Sequence, residues 1–307
     1  MNNRSLLSKA AVDTATLGTG GRMNPEQSKK FITFMRDYSS FLRSIDFINM
    51  LSTRRVLEYA DVSSRNMRKA KENKENPATG SISTDQRELN AVGVIMPYDV
   101  TFQFMKENIE KGQVNTTLAK MFAQQFANDV VDLGFNGDES SSDDFININD
   151  GWISIAEKDT DTHKINNADY STKRALFKAL LGEVPSKYFQ MYKQEDKSLL
   201  KILVSHNVNR EYKEELTERN TALGDSLLIN GKNVTYDGFE IIPVGFLADD
   251  IQMVTPLKNL AYGVYGKNIE TYHQIVPRFT RHEYTILADF DFEIHNPDVM
   301  VIGKNRS

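Results

Sequence analysis

The stretch LGFNGDESSSDDFININDGWISIAEK, residues 133–158, decides how this chain is read. It leaves an amphipathic helix through an Asn-Gly step at Asn136 and Gly137. A run of short acidic and hydroxyl side chains follows, and then Asn149, Asp150, Gly151 and the only tryptophan, Trp152. The acidic run Asp138 to Asp144 lacks the alternating ligand register and closing glutamate of an EF-hand, so it reads as a flexible loop and not as a calcium site. Upstream, Leu118, Met121, Phe122, Phe126, Val130 and Leu133 fall at helical spacing from Thr116 to Leu133. Thr116 or Thr117 is the expected N-cap and Gly134 the expected C-terminal glycine.

Working outward toward the N-terminus, INMLSTRRVLEYADV (48–62) is strand-forming and has no helical period. SSRNMRKAKENKENPATGSISTDQ (63–86) is polar and turn-rich, and NAVGVIMPYDVTFQF (90–104) is again apolar and partly alternating. Two strand-like limbs around a charged tip predict a long hairpin, with 90–104 as its return limb. A tip with so little to bury must lie on something else. Ahead of it, Phe31, Phe34, Met35, Tyr38, Phe41, Leu42 and Ile45 share one face of a helix expected from Pro25. Residues 1 to 29, with the glycines of GTGGR at 18 to 22, read as an extended arm.

Toward the C-terminus, a second helix is expected over about Ser171 to Leu181, closed by Gly182 and Pro185. LKILVS (200–205) is a continuous apolar run of the kind that forms a buried strand. VNREYKEELTERN predicts an amphipathic helix. Gly231, Gly238 and FEIIPVGFL predict a hairpin or short strands, and Thr255-Pro256 reads as a helix start leading into LKNLAYGVYG. The terminal TRHEYTILADFDFEIHNPDVMVIG alternates: Phe290, Phe292 and Ile294 point one way, and Asp289, Asp291, Glu293 and His295 the other. The fold class is α+β, with helices and strands segregated.

Composition narrows the function. The chain has 307 residues with net charge -5, enough for a real core but no general nucleic-acid binder. It has no cysteine, which excludes disulfides and thiolate chemistry. The N-terminus is too polar for a signal peptide, and no stretch approaches the ~20 apolar residues a membrane span needs, so synthesis in the cytoplasm and a soluble chain are expected. Phosphate-binding and nucleophile-elbow motifs are missing, and no active site or cofactor is expected. Asp289, Asp291, Glu293 and His295 could suggest a divalent metal and, as the alternative from another class, a metal-dependent hydrolase. Residues two apart on a strand lie ~6.6 Å apart, however, so four in a row do not converge on one ion. A solvated face, or one meeting a basic neighbour, fits better. The basic cluster Arg65, Arg68, Lys69, Lys71 and Lys74 has no aromatics for base stacking, and an acidic protein surface suits it.

This order of elements resembles the Hong Kong 97-type capsid fold of tailed bacteriophages. Phe135, Asn136, Gly137, Asn149, Asp150, Gly151 and Trp152 are similar to the segment after the spine helix in the P-two-like branch of major capsid proteins. The later TPLKNLAYGVYGKNIETYHQIVPRFTRHEYTILADFDFEIHNPD is similar to that branch as well. The resemblance implies an N-terminal arm and helix (1–48), an extended hairpin loop (49–97) and a peripheral domain with the spine helix (98–183). An axial domain (184–266) and the C-terminal strands of the peripheral domain (267–307) would follow. It further implies self-assembly into pentamers and hexamers, nonspecific packaged double-stranded DNA on the inner face, scaffold and portal partners, no membrane, and a place in the virion. Subunit contacts would use Arg65, Arg68, Lys69, Lys71, Lys74, Asp289, Asp291 and Glu293. An encapsulin-like shell shares the fold and is the near alternative. Some relatives crosslink a hairpin lysine to an asparagine, and Asn296 would be the acceptor here.

Overall fold

The computed structural model describes residues 33, 35–62, 82–108, 114–189, 199–217, 234–267 and 269–306. Its centre is the strand that alternates most cleanly in the sequence, β12 (Arg281–Ile294). Tyr284, Ile286, Ala288, Phe290, Phe292 and Ile294 all face inward and are buried. Along one edge β12 pairs antiparallel with β4 (Val92–Thr101). Along the other it pairs with β10 (Leu260–Tyr265) and β11 (Glu270–Val276), and β1 (Asp46–Met50) adds parallel to β10.

The spine helix runs from Val114 to Asn136 and lays Ala123, Phe126, Ala127, Val130 and Leu133 on the inner face of this sheet. It does not stop at Gly134. A Cβ there would lie 2.6 Å from the Trp152 ring, so Gly134 is a packing position inside the helix. The chain leaves the helix at Gly137, whose N–H still reaches the Leu133 carbonyl at 2.8 Å. Of the preceding helical face, Met35, Leu42 and Ile45 are buried, while Tyr38 is 42% exposed. The helix is interrupted at Ser39, whose Oγ accepts the Leu42 N–H (3.2 Å) and caps a new short helix, Ser40–Ser44.

The hairpin is present, with a different return limb. β2 (Arg54–Val62) pairs antiparallel with β3 (Ile82–Asn90) in nine-residue register. β3 is drawn from the polar stretch, while the apolar Val92–Thr101 turns back into the body. The reason is burial: Val94, Met96, Tyr98 and Val100 form an apolar face that needs the spine helix. A two-stranded ribbon leaving the body offers such a face nothing to pack on.

A second sheet has the order β5-β13-β9-β6-β8-β7: His163–Asn166, Val301–Lys304, Ile251–Pro256, Leu200–Ser205, Phe239–Val244 and Thr235–Tyr236. LKILVS is β6, fully buried along its length like its neighbour β9. The hairpin β7–β8 turns on Asp237 (φ 50°) and Gly238 (φ 85°), the left-handed pair a two-residue hairpin favours. The helix expected after Thr255-Pro256 is one 3-10 turn, Leu257–Asn259, followed by β10. Leu260 to Val264 is buried between β1 and β12, and pairing on both edges outweighs the local helix signal.

The second helix expected by sequence is Lys173–Glu183; Gly182 lies inside it. It packs on His206–Thr217, the amphipathic helix of the sequence reading. Thr172 Oγ1 accepts from Ala175 N at 3.2 Å, and the Glu215 carboxylate accepts from Lys173 N (2.6 Å) and Arg174 N (3.3 Å). An anion against a helix N-terminus stabilises it. Glu215→Ala is therefore expected to cost about 1–2 kcal/mol in urea unfolding, and Glu215→Gln about half of that.

Candidate assembly surfaces and the hairpin root

The loop after the spine helix holds itself together. Asp138 accepts from Ser140 N (3.0 Å), and Asp143 from Phe145 N (2.9 Å). Asn147 Nδ2 donates to the carbonyls of Glu139 (2.6 Å) and Ser141 (2.8 Å). The run read as flexible is thus a hydrogen-bonded loop, because Asp138 and Asp143 each hold backbone two residues on and Asn147 ties the loop across six and eight residues. It delivers Trp152 into an aromatic cluster with Phe41, Phe135 and Phe292, and the indole N–H donates to the Ala261 carbonyl at 3.0 Å.

At the hairpin root, Leu89 is fully buried and fills the space above Gly263 beside Met50, where a Cβ on Gly263 would lie 2.8 Å from each side chain. Arg87 reaches Asp159 at 2.6 Å, and the Asn90 N–H donates to Asp291 Oδ2 at 2.7 Å. Across the ribbon Arg54 pairs with Glu88. Arg87, Leu89, Asn90 and Asp159 form this seat, and none carries a sequence signal: each lies in a polar stretch whose partners are distant in sequence.

The acidic strand is not a solvated face. Asp289 is 8% exposed. Asp291 and Glu293 sit beside the hairpin root, and burial pushes their carboxyls up to about 6 and about 7. Nor do these residues converge on an ion. Asp291 serves Asn90, Glu293 accepts its neighbour's Ile294 N–H (2.9 Å), and His295 Nε2 lies 2.9 Å from Asp46. Among the described residues no group of three or more His, Cys, Asp or Glu could hold a metal ion. Asn296 is a poor crosslink acceptor: it is 8% exposed, its Nδ2 donates to Tyr188 Oη (2.9 Å), and its Oδ1 accepts from Asp298 N (3.1 Å). The basic residues Arg65, Arg68, Lys69, Lys71 and Lys74 lie outside the described residues.

Several large apolar side chains face outward, among them Ile95 on β4, Tyr272 and Ile275 on β11, and Phe279 in the turn after β11. Three of the four (Ile95, Ile275 and Phe279) are more than half exposed. By register Ile95 and Tyr272 lie on one face of the sheet and Ile275 on the other, so these side chains do not form a single patch.

Comparison with known proteins places this architecture. No family model matches the chain. It is 29% identical over 238 residues to a putative prophage capsid protein, YqbE, of Bacillus subtilis (strain 168), covering 75% of this chain and 72% of that protein. Its structure is similar to the satellite phage P4 procapsid with size determination protein, with a TM-score of 0.72 and 13% identity over 99% of this chain and 98% of that one. It is also similar to the capsid of an empty GTA particle, with a TM-score of 0.59 and 9% identity over 88% and 90%. The chain has the Hong Kong 97-type fold, the α+β fold of capsid shells. The chain thus has the fold of capsid shells and a sequence similar to that of a putative prophage capsid protein.

Proposed function

We propose that the chain assembles into pentamers and hexamers that close an icosahedral head around double-stranded DNA. The observation that carries this reading is the β2–β3 ribbon. It extends from the body with Leu57 and Leu89 buried only near its root, and a two-stranded ribbon is marginal in water by itself. Laid across a neighbour, it gains the partner it lacks, and many weak repeated contacts sum over a closed lattice. In this arrangement the five-stranded sheet and spine helix form the peripheral unit and the six-stranded sheet the axial unit around the capsomer axis, so that Leu260–Tyr265 leaves the 184–266 range expected for the axial domain and His163–Asn166 and Val301–Lys304 join it. Arg65, Arg68, Lys69, Lys71 and Lys74 meet an acidic face of the adjacent subunit. DNA contact is nonspecific, from basic residues of the inner face, and so weakens with salt. Scaffold and portal proteins complete the assembly, which takes place in the host cytoplasm.

Electron microscopy of the purified chain tests this, beside a variant whose residues 63–81 are replaced by an Asn-Gly turn. Closed shells or capsomers are expected from the parent, and their loss is expected in a variant that remains folded by circular dichroism. Well-behaved monomers in both samples would overturn the reading. Nuclease-protected DNA in particles from infected cells would distinguish a phage head from a compartment filled with protein cargo.

A further inference from the structure

The return limb of the hairpin rests on more negative charge than it neutralises. Arg87 pairs with Asp159, their side chains 22% and 9% exposed. Asp291 lies under Asn90, with Asn149 Nδ2 3.4 Å from its other oxygen. Glu293, two residues along β12, feels both Arg87 and Asp159. The other charged groups facing this seat are Asp289 on β12, Glu139 and Asp150 in the loop ahead of Trp152, and Lys158 at the end of the helix Trp152–Lys158. Lys158 is taken up by Asp150 (2.6 Å) and Asp138 (3.7 Å). Lys164 Nζ, on β5, donates to the Asp159 carbonyl at 2.8 Å. Among the described residues, Arg87 is the cation paired with the Asp159 carboxylate, and its charge also acts on Glu293.

We infer that this seat is a proton-controlled latch between the hairpin and the body, closed when Asp291 and Glu293 carry protons and loosened when both are ionised. Lifting the hairpin returns both carboxylates to water, where they ionise at ordinary carboxylate values, near 4. Seated, burial keeps them protonated up to about 6 and about 7. The seated state thus binds more protons than the lifted state between roughly pH 4 and pH 7. By linkage, seating strengthens as pH falls through that window and levels off above and below it. A neutral Asp291 keeps a carbonyl oxygen for the Asn90 N–H, so protonation does not remove the bond that positions the root. The latch belongs to the single chain and stands independently of which shell the chain builds.

Hydrogen exchange of the amides of residues 87–91, measured on the full-length unassembled chain and corrected for intrinsic rates, tests the latch. Protection at pH 5 is expected to exceed that at pH 8 by about tenfold or more. Amides of the six-stranded sheet serve as the internal reference. In Asp291→Asn with Glu293→Gln, protection at pH 8 is expected to rise to the parent's pH 5 level and lose its slope. Glu293→Gln alone, whose amide oxygen still accepts the Ile294 N–H, is expected to lose part of the slope, which keeps the test valid should the double variant fail to fold. A flat parent profile, a slope of opposite sign, or a double variant that keeps the slope would overturn the latch. A single variant with the parent's full slope would do the same.

Discussion

Trp152→Ala is expected to destabilise the chain by about 3–5 kcal/mol, lowering the thermal midpoint by roughly 6–10 °C and abolishing assembly at 37 °C. Trp152 is completely buried, and its ring contacts four elements at once. Phe41 packs on it from the N-terminal helix, Phe135 and Gly134 from the spine helix, and Phe292 from β12. Its N–H holds the Ala261 carbonyl of β10. Removing the indole leaves a cavity that none of these can collapse into, because each is fixed by a helix or by strand pairing. Trp152→Phe keeps most of the ring and loses the donor, so about a third of the effect is expected. Equal stability of the two variants in calorimetry would show that the ring volume contributes little.

Gly151→Val is expected to prevent accumulation of folded protein, while Gly182→Ala is expected to stabilise it by about 0.5–1 kcal/mol. Gly151 has φ -84°, which any residue can adopt, so the penalty is steric. A Cβ there would stand 2.6 Å from the Leu133 carbonyl oxygen and 2.7 Å from that of Gly134. Those are backbone atoms of the spine helix and cannot step aside without moving the helix. Gly182 lies inside its helix, and a Cβ there meets nothing within 4 Å. Soluble yield and thermal midpoint of the two variants, side by side, separate a close backbone approach from a helix glycine that packs against nothing. A folded Gly151→Val variant with the parent's midpoint would contradict the close approach.

The elements legible in the sequence were those whose own period declares them. The alternation of β12 and the 3.6-residue period of the spine helix each record a burial pattern that one backbone conformation satisfies, and the run of β6 is too short for a buried helix. The outgoing limb of the hairpin was legible in part, from its strand-forming residues, although Asp46–Met50 joins the body sheet as β1, and the turn at Gly238 was legible from its glycine. The return limb was not. Residues 82–90 carry a pattern that fits a loop as well as an exposed strand, and only pairing to β2 selects the strand. The turn at 257–259 misled because its Thr-Pro start is real locally, while the residues after it are claimed by β1 and β12 from either side.

The root of the hairpin lay furthest from sequence reasoning. Asp291 alternates onto the polar face of β12 as expected, yet that face is covered by residues about 200 positions earlier in the chain. A solvated carboxylate and one beneath Asn90 look the same in a string of letters, because the difference is the water that β3 excludes. By itself the sequence determined the fold class, the spine helix and the buried strands, since each follows from where apolar residues recur. Only the tertiary structure decided which strand returns the hairpin, what Gly134 and Gly151 are for, and which carboxylates lose their water. Those outcomes depend on contacts between segments far apart in the chain, and local period carries no record of them.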